Sequence, residues 1–251
     1  MTIGFIGIGT MAAAMVEGLG GGDIVLSPRG ADKAAELARR FAGVRVADSN
    51  QGVVDATETV ILSVRPQIVE EVVRALRFRA GQKIISLVAA TPISALRDWI
   101  GIELPIIRAV PLPFVVTRTC VTPIYPPNAE TEALFNRLGT AVPCESLNDF
   151  DLLAVGSAMM GSYFGILETV QNWLTAQGLP PASSRAYMAG LFANLGQVAA
   201  SSPEDFPVLR AEHSTKGGLN EQIFRDFAAQ GGTAALTQAL DGVLARVRGQ
   251  G

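Results

Sequence analysis

A four-residue apolar run, Ile3-Gly4-Phe5-Ile6, leads directly into Gly7-Ile8-Gly9-Thr10-Met11-Ala12, and a helical pattern follows to about Leu19. A strand that turns on two glycines into a helix leaves few architectures open. Gly7 permits the tight turn, Gly9 lets another group approach the backbone closely, and Ala12 lets the helix sit close to the strand. The helix N-terminus then points its unpaired N–H groups and partial positive charge beyond the end of the strand. In that context G-x-G-x-x-A reads as a dinucleotide fingerprint rather than an ordinary strand-to-helix turn.

Strand and helix continue to alternate. Residues 23–27 and 44–46 read as strands around a helix at 31–41, in which Ala34, Leu37, Ala38 and Phe41 share one face. The almost wholly apolar stretch 59–64 suits a strand covered by helices on both sides. A helix at 67–76, strands at 83–88, 105–110 and 120–124, a helix at 130–138 and a strand at 140–144 complete this half. The pattern predicts an α/β fold with a Rossmann-type, doubly wound parallel sheet. Beyond 148 no strand is evident, and helices are expected at 150–173, 182–200, 203–211, 218–229 and 232–247. The division is placed at 147, giving domains 1–147 and 148–251, the second an all-α dimerisation domain. Its many small apolar positions are too numerous for a free surface, and burial against a second copy resolves this.

Composition removes several classes of function. The net charge of the 251 residues is -3 with no basic run, which speaks against a nucleic-acid surface. His213 is the only histidine, so a His-rich metal site is excluded. Cys120 and Cys144 lack CxxC spacing and read as reduced structural thiols of a cytoplasmic protein. The N-terminal apolar stretch has no basic flank and is not read as a signal peptide. The uncharged run 152–167 is shorter than the roughly 20 residues of a membrane helix, and three glycines interrupt it, so no membrane partner is expected.

The second predicted strand ends Ser27-Pro28-Arg29-Gly30, with no acid before Asp32. An NAD site usually places a carboxylate here for the ribose 2′-hydroxyl. A hydroxyl and a guanidinium suit a 2′-phosphate instead, because Arg binds it with paired, charge-assisted hydrogen bonds. NADP, as NADPH, is the expected cofactor. A solvated surface Arg29 is the alternative reading.

Five segments in order resemble the pyrroline-5-carboxylate reductase family: GFIGIGTMAAAMVEGL, SPRGADKAAEL, ADSNQGVVDATETVILSVRPQ, RAVPLPFV and STKGGLNEQIF. The resemblance spans essentially the whole chain. It implies a Rossmann domain followed by helices that interleave with those of a second copy, a homodimer whose assembly beyond the dimer is left open. It also implies reduction of a cyclic imino acid, 1-pyrroline-5-carboxylate to proline. By matching position, Gly7, Gly9, Thr10, Met11, Ser27 and Arg29 would bind the cofactor. Asn50 would meet the adenine-side ribose, and Val64, Arg65 and Pro66 would line the cofactor's path. Ala89 and Ala90 would lie near the nicotinamide. Gly217, Gly218 and Asn220 would receive the substrate carboxylate, with Lys216 adding charge.

Other polar candidates are fewer. Glu168 sits on an otherwise apolar helix, where it could meet the substrate's iminium, hold the loop, or face solvent. His213, just before the loop, could relay a proton or simply end a helix. Arg108 borders the cleft in the family or makes a structural ion pair. Departures from the family pattern cluster at the substrate end: its Asn and Thr after the first proline become Leu112 and Phe114 or their neighbours, its Pro becomes Lys216, and its Thr-Thr becomes Leu219-Asn220. Two other functions therefore stay open: a β-hydroxyacid-type NADP dehydrogenase and a non-catalytic NADPH-binding homologue.

Overall fold

The computed structural model describes residues 2–250. In chain order its first elements are β1 (Ile3–Ile6), α1 (Thr10–Leu19), β2 (Ile24–Leu26), α2 (Ala31–Arg40), β3 (Val44–Val46), α3 (Asn50–Ala56), β4 (Thr59–Leu62) and α4 (Val69–Arg74). Then come β5 (Lys83–Ser86), α5 (Ile93–Ile100), β6 (Ile106–Ala109), β7 (Cys120–Tyr125), α6 (Ala129–Asn136) and β8 (Gly139–Pro143). Helices α7 (Leu147–Ser157), α8 (Met159–Ala176), α9 (Pro181–Ser201), α10 (Phe206–Glu212), α11 (Leu219–Ala229) and α12 (Gly232–Val247) finish the chain. Two compact units emerge, one of the described residues 2–154 with 244–250, the other of residues 155–243.

The first unit holds one eight-stranded sheet in the order β3-β2-β1-β4-β5-β6-β7-β8. Strands β1 to β6 are mutually parallel, as the βαβ pattern predicts. The expectation of a wholly parallel sheet needs one correction: β7 runs antiparallel to β6, Arg108 facing Tyr125, and β8 then pairs parallel to β7. Residues 110–119 carry the chain back along the sheet and include a 3-10 turn at Pro113–Val115, so no crossover helix restores the direction.

Two apolar layers cover the sheet. Phe5, Ile61 and Ile85 pack on one face with Met15, Leu37 and Phe135, while Ile6, Leu62 and Ile84 pack on the other with Val53, Val73 and Leu96. Because neighbouring residues point to opposite faces and both are covered, β1, β4 and β5 are buried at every position. Two short helices were not anticipated. In α3 the cue is Ser49, whose hydroxyl accepts from Gly52 N–H at 3.0 Å. In α5 it is the pair Leu96 and Ile100, buried one turn apart.

One close approach in this unit yields a sharp expectation. A Cβ on Gly18 of α1 would lie 2.0 Å from the Val115 carbonyl oxygen, while the Gly18 carbonyl accepts from Arg118 Nε at 2.7 Å. Alanine normally improves a helix interior by up to about 1 kcal/mol. Here overpacking reverses the sign, and Gly18→Ala is expected to cost about 2 kcal/mol, read as a lowered denaturant midpoint.

In the second unit, α8 and α9 pack together, with the Tyr163 and Phe192 rings edge-on at 5.8 Å. The helix expected over 150–173 is interrupted: Ala158, at ψ -8°, separates α7 from α8. Burial is sparse in this unit, and α8 and α11 have no buried residue. Phe164, Trp173, Tyr187, Phe206, Leu219 and Ile223 are each more than 60% exposed. Among the described residues, Leu147–Ala176 is long and apolar enough to cross a membrane by length and composition, at mean hydropathy 1.4.

Candidate functional site

The C-terminal ends of β1, β2, β4 and β5 share one edge of the sheet, and the order β2-β1-β4 puts the topological switch at β1. Crevices at such points take ligands in open α/β sheets. Gly7 and Gly9 play different parts there. Gly7 has φ +93°, and a Cβ on it would meet the Ser63 carbonyl oxygen and the Val64 side chain, both at 2.8 Å. Gly9 is the N-cap of α1 and is exposed, with no atom within 4 Å of where its Cβ would stand. Thr10 and Met11 begin the helix, whose first turn carries no acid and no side-chain cap. Its leading N–H groups are thus open to an anion.

Ser27 takes a different position from the one its residue type suggests. It is fully buried, and its hydroxyl accepts the Gly7 N–H at 2.9 Å. It braces the glycine turn instead of lying open at the strand end. Arg29 does lie open, and lines a cleft of about 460 Å³ with Pro28, Ser49, Asn50, Glu71 and Val72 among its walls. Asn50 opens α3 and is half-buried. Gln51, Glu71, Val72 and Leu76 also line this cleft, and no motif pointed to them. Arg65 and Pro66 are exposed after β4, and Ala89 and Ala90 are exposed after β5, with Ala90 at φ +51°. A dinucleotide fits this set: an open helix N-terminus for the pyrophosphate, a glycine without a side chain in the way, and an arginine in the adjoining cleft.

The loop STKGGLN joins α10 to α11 in the second unit. Its two glycine N–H groups, expected to receive a carboxylate, are engaged within the loop. Gly217 N–H donates to Glu221 Oε2 at 2.6 Å, and Gly218 N–H donates to the Thr215 carbonyl at 2.7 Å. The Asn220 amide donates to the His213 carbonyl at 2.8 Å, and Lys216 is exposed. Glu221, three residues into α11 from its Gly218 cap, reaches back as capping carboxylates do. Sequence reasoning passed over it, although an acid at that spacing was the available signal. Glu168 is exposed on α8, as in the solvent-facing one of its alternatives. His213 ends α10 with Nδ1 2.8 Å from the Leu209 carbonyl oxygen.

Neither cysteine is poised for chemistry. Cys120 and Cys144 are buried and unpaired, and burial together with nearby Asp149 pushes the Cys144 thiol up. Among the described residues no cluster of His, Cys, Asp and Glu could hold a metal ion.

The cofactor half matches, over residues 2–90, the family described as NADP oxidoreductase coenzyme F420-dependent. The pyrroline-5-carboxylate reductase of Pseudomonas aeruginosa is 28% identical over 95% of this chain and 93% of its own length. The chain is thus similar to a pyrroline-5-carboxylate reductase over nearly its whole length. Among solved structures, the reductase of Streptococcus pyogenes superposes with a TM-score of 0.88 at 23% identity, covering 99% of this chain and 98% of its own. The Plasmodium falciparum pyrroline carboxylate reductase with NADP bound gives 0.84 at 15% identity, over 100% and 98% of the two chains. These reductases share the fold from the first strand to the last helix.

Proposed function

We propose that the chain is an NADPH-dependent reductase of a cyclic imino acid, converting 1-pyrroline-5-carboxylate to proline. The similarity to the Pseudomonas reductase over nearly the full length of both chains carries this reading. NADPH, when bound, supplies the hydride that the imine carbon accepts. The protein's share is orientation and exclusion of water, because a protonated C=N is already electrophilic. In residues 1–147, the first-turn N–H groups of α1 hold the pyrophosphate, Arg29 the 2′-phosphate and Asn50 the adjoining ribose. Residues 148–251 serve the substrate and pair with a second copy. The bare aromatic and aliphatic side chains of α8 to α11 support this homodimer, and the apolar stretch Leu147–Ala176 is read as part of the same interface rather than a membrane span. We place the enzyme in the cytoplasm.

For the substrate we assign the loop Lys216, Gly217, Gly218 and Asn220, with Glu168 as the acid partner of the iminium. The substrate carboxylate would then compete with Glu221 for the Gly217 N–H. Glu221→Gln is therefore expected to lower the substrate KM several-fold, and Asn220→Ala to raise it, both with NADPH affinity intact. Steady-state kinetics that show neither change would remove this loop from the site.

The decisive experiment is NADPH oxidation with pyrroline-5-carboxylate. Turnover above the enzyme-free rate is expected. NADPH binding without turnover would leave a non-catalytic homologue, and oxidation of β-hydroxy acids with NADP would favour the dehydrogenase.

A further inference from the structure

A second cleft in the first unit lies away from the Arg29 cleft. It has a volume of about 510 Å³ and runs between α5, the β6–β7 pair and the start of α7. Its size is that of an ordinary small-molecule pocket. Ser94, Arg97, Arg108 and Tyr125 supply its polar lining, with Leu104 and Leu147 among its apolar walls, and no acid lines it.

Arg108 is the unusual member. Its side chain is 9% exposed, yet the guanidinium makes no hydrogen bond among the described residues. Its nearest countercharge, Asp151 Oδ1, lies 3.7 Å from Nη1, and that oxygen is itself buried without a hydrogen-bond partner. The guanidinium also stacks on Phe150, 4.7 Å from the ring centre. Burial draws the Arg108 pKa down while Asp151 works against it, but an arginine keeps its charge in any case. A buried cation with five donors and no acceptor in range is costly unless a partner arrives. Arg97 shares the cleft and is held only loosely by Glu103, at 3.9 Å. The first turn of α5 starts at Pro92 with no side-chain cap and no acid.

We propose that this cleft binds an organic carboxylate, its oxygens taken by Arg108 and Arg97 and its small apolar body lying along Leu104 and Ile93. A planar carboxylate matches the fork of a guanidinium, and the apolar walls favour an acid with a hydrocarbon part over a bare inorganic anion. Asp151 is the competitor: on binding, the ligand replaces a 3.7 Å contact with direct hydrogen bonds. None of its residues lines the Arg29 cleft.

Calorimetric titration of the full chain with butyrate, with NADPH saturating, tests the proposal. One saturable site per chain is expected. Arg97→Ala should weaken it at least fivefold, and Arg108→Lys at least tenfold. Asp151→Asn, which removes the competing charge, should tighten it. NADPH affinity reports folding in each variant, and exposed Arg97 decides the matter if the Arg108 variant fails to fold. Absence of saturable butyrate binding overturns the proposal, as does binding that Arg97→Ala leaves unchanged. Tighter binding of inorganic phosphate than of butyrate overturns the assignment of an organic acid.

Discussion

Gly9→Val is expected to leave the fold intact and to abolish measurable NADPH binding. The position separates the two effects cleanly. Gly9 has φ -82°, open to any residue, and nothing within 4 Å of its Cβ direction. The added Cβ therefore meets no atom beyond its chain neighbours. It stands instead where the pyrophosphate would approach the first-turn N–H groups of α1, and loss of that approach removes the anchor of the cofactor. Thermal unfolding should be nearly unchanged, and a fluorescence titration with NADPH should show no saturation. Retained binding would move the pyrophosphate away from this turn. Gly7 offers no such separation, because its φ of +93° and the Ser63 carbonyl at 2.8 Å tie it to folding itself.

Arg29→Asp is expected to weaken NADPH about 100-fold while changing NADH little. Hydrogen bonds to charged groups contribute about 1.5–3 kcal/mol each, and the new carboxylate adds repulsion against a phosphate while offering NADH a ribose acceptor. Arg29 is exposed and makes no ion pair among the described residues, so its replacement should not disturb stability. The ratio of the two dissociation constants is the measurement, and an unchanged ratio would sink the 2′-phosphate assignment.

Much of the cofactor half could be read before any coordinates. The glycine turn, the missing acid after β2 and the continuous apolar runs of β4 and β5 each have one local cause, so each is visible in a short window. What escaped depends on distant residues. No local pattern records that β7 reverses, since an apolar strand reads alike in both directions. The helix α3 is short and carries Gly52 in its interior, which blurs its period, although Ser49 marked its start. Ser27 looked like a ligand because its type suits one, and only the fold showed the hydroxyl turned inward to Gly7. The loop STKGGLN was singled out by position, but the reach of Glu221 back to Gly217 follows from a side-chain conformation that spacing alone does not choose.

That inward hydroxyl also bears on redesign. Ser27 and Arg29 are neighbours in the chain but have opposite duties, one bracing the turn and one facing the cleft. A library that randomises the whole SPRG turn to exchange NADPH for NADH would mostly discard the brace along with the proposed selector. Keeping Ser27 fixed and varying Arg29 alone should preserve a working platform in nearly every clone, so that screening reports cofactor preference rather than collapse of the turn.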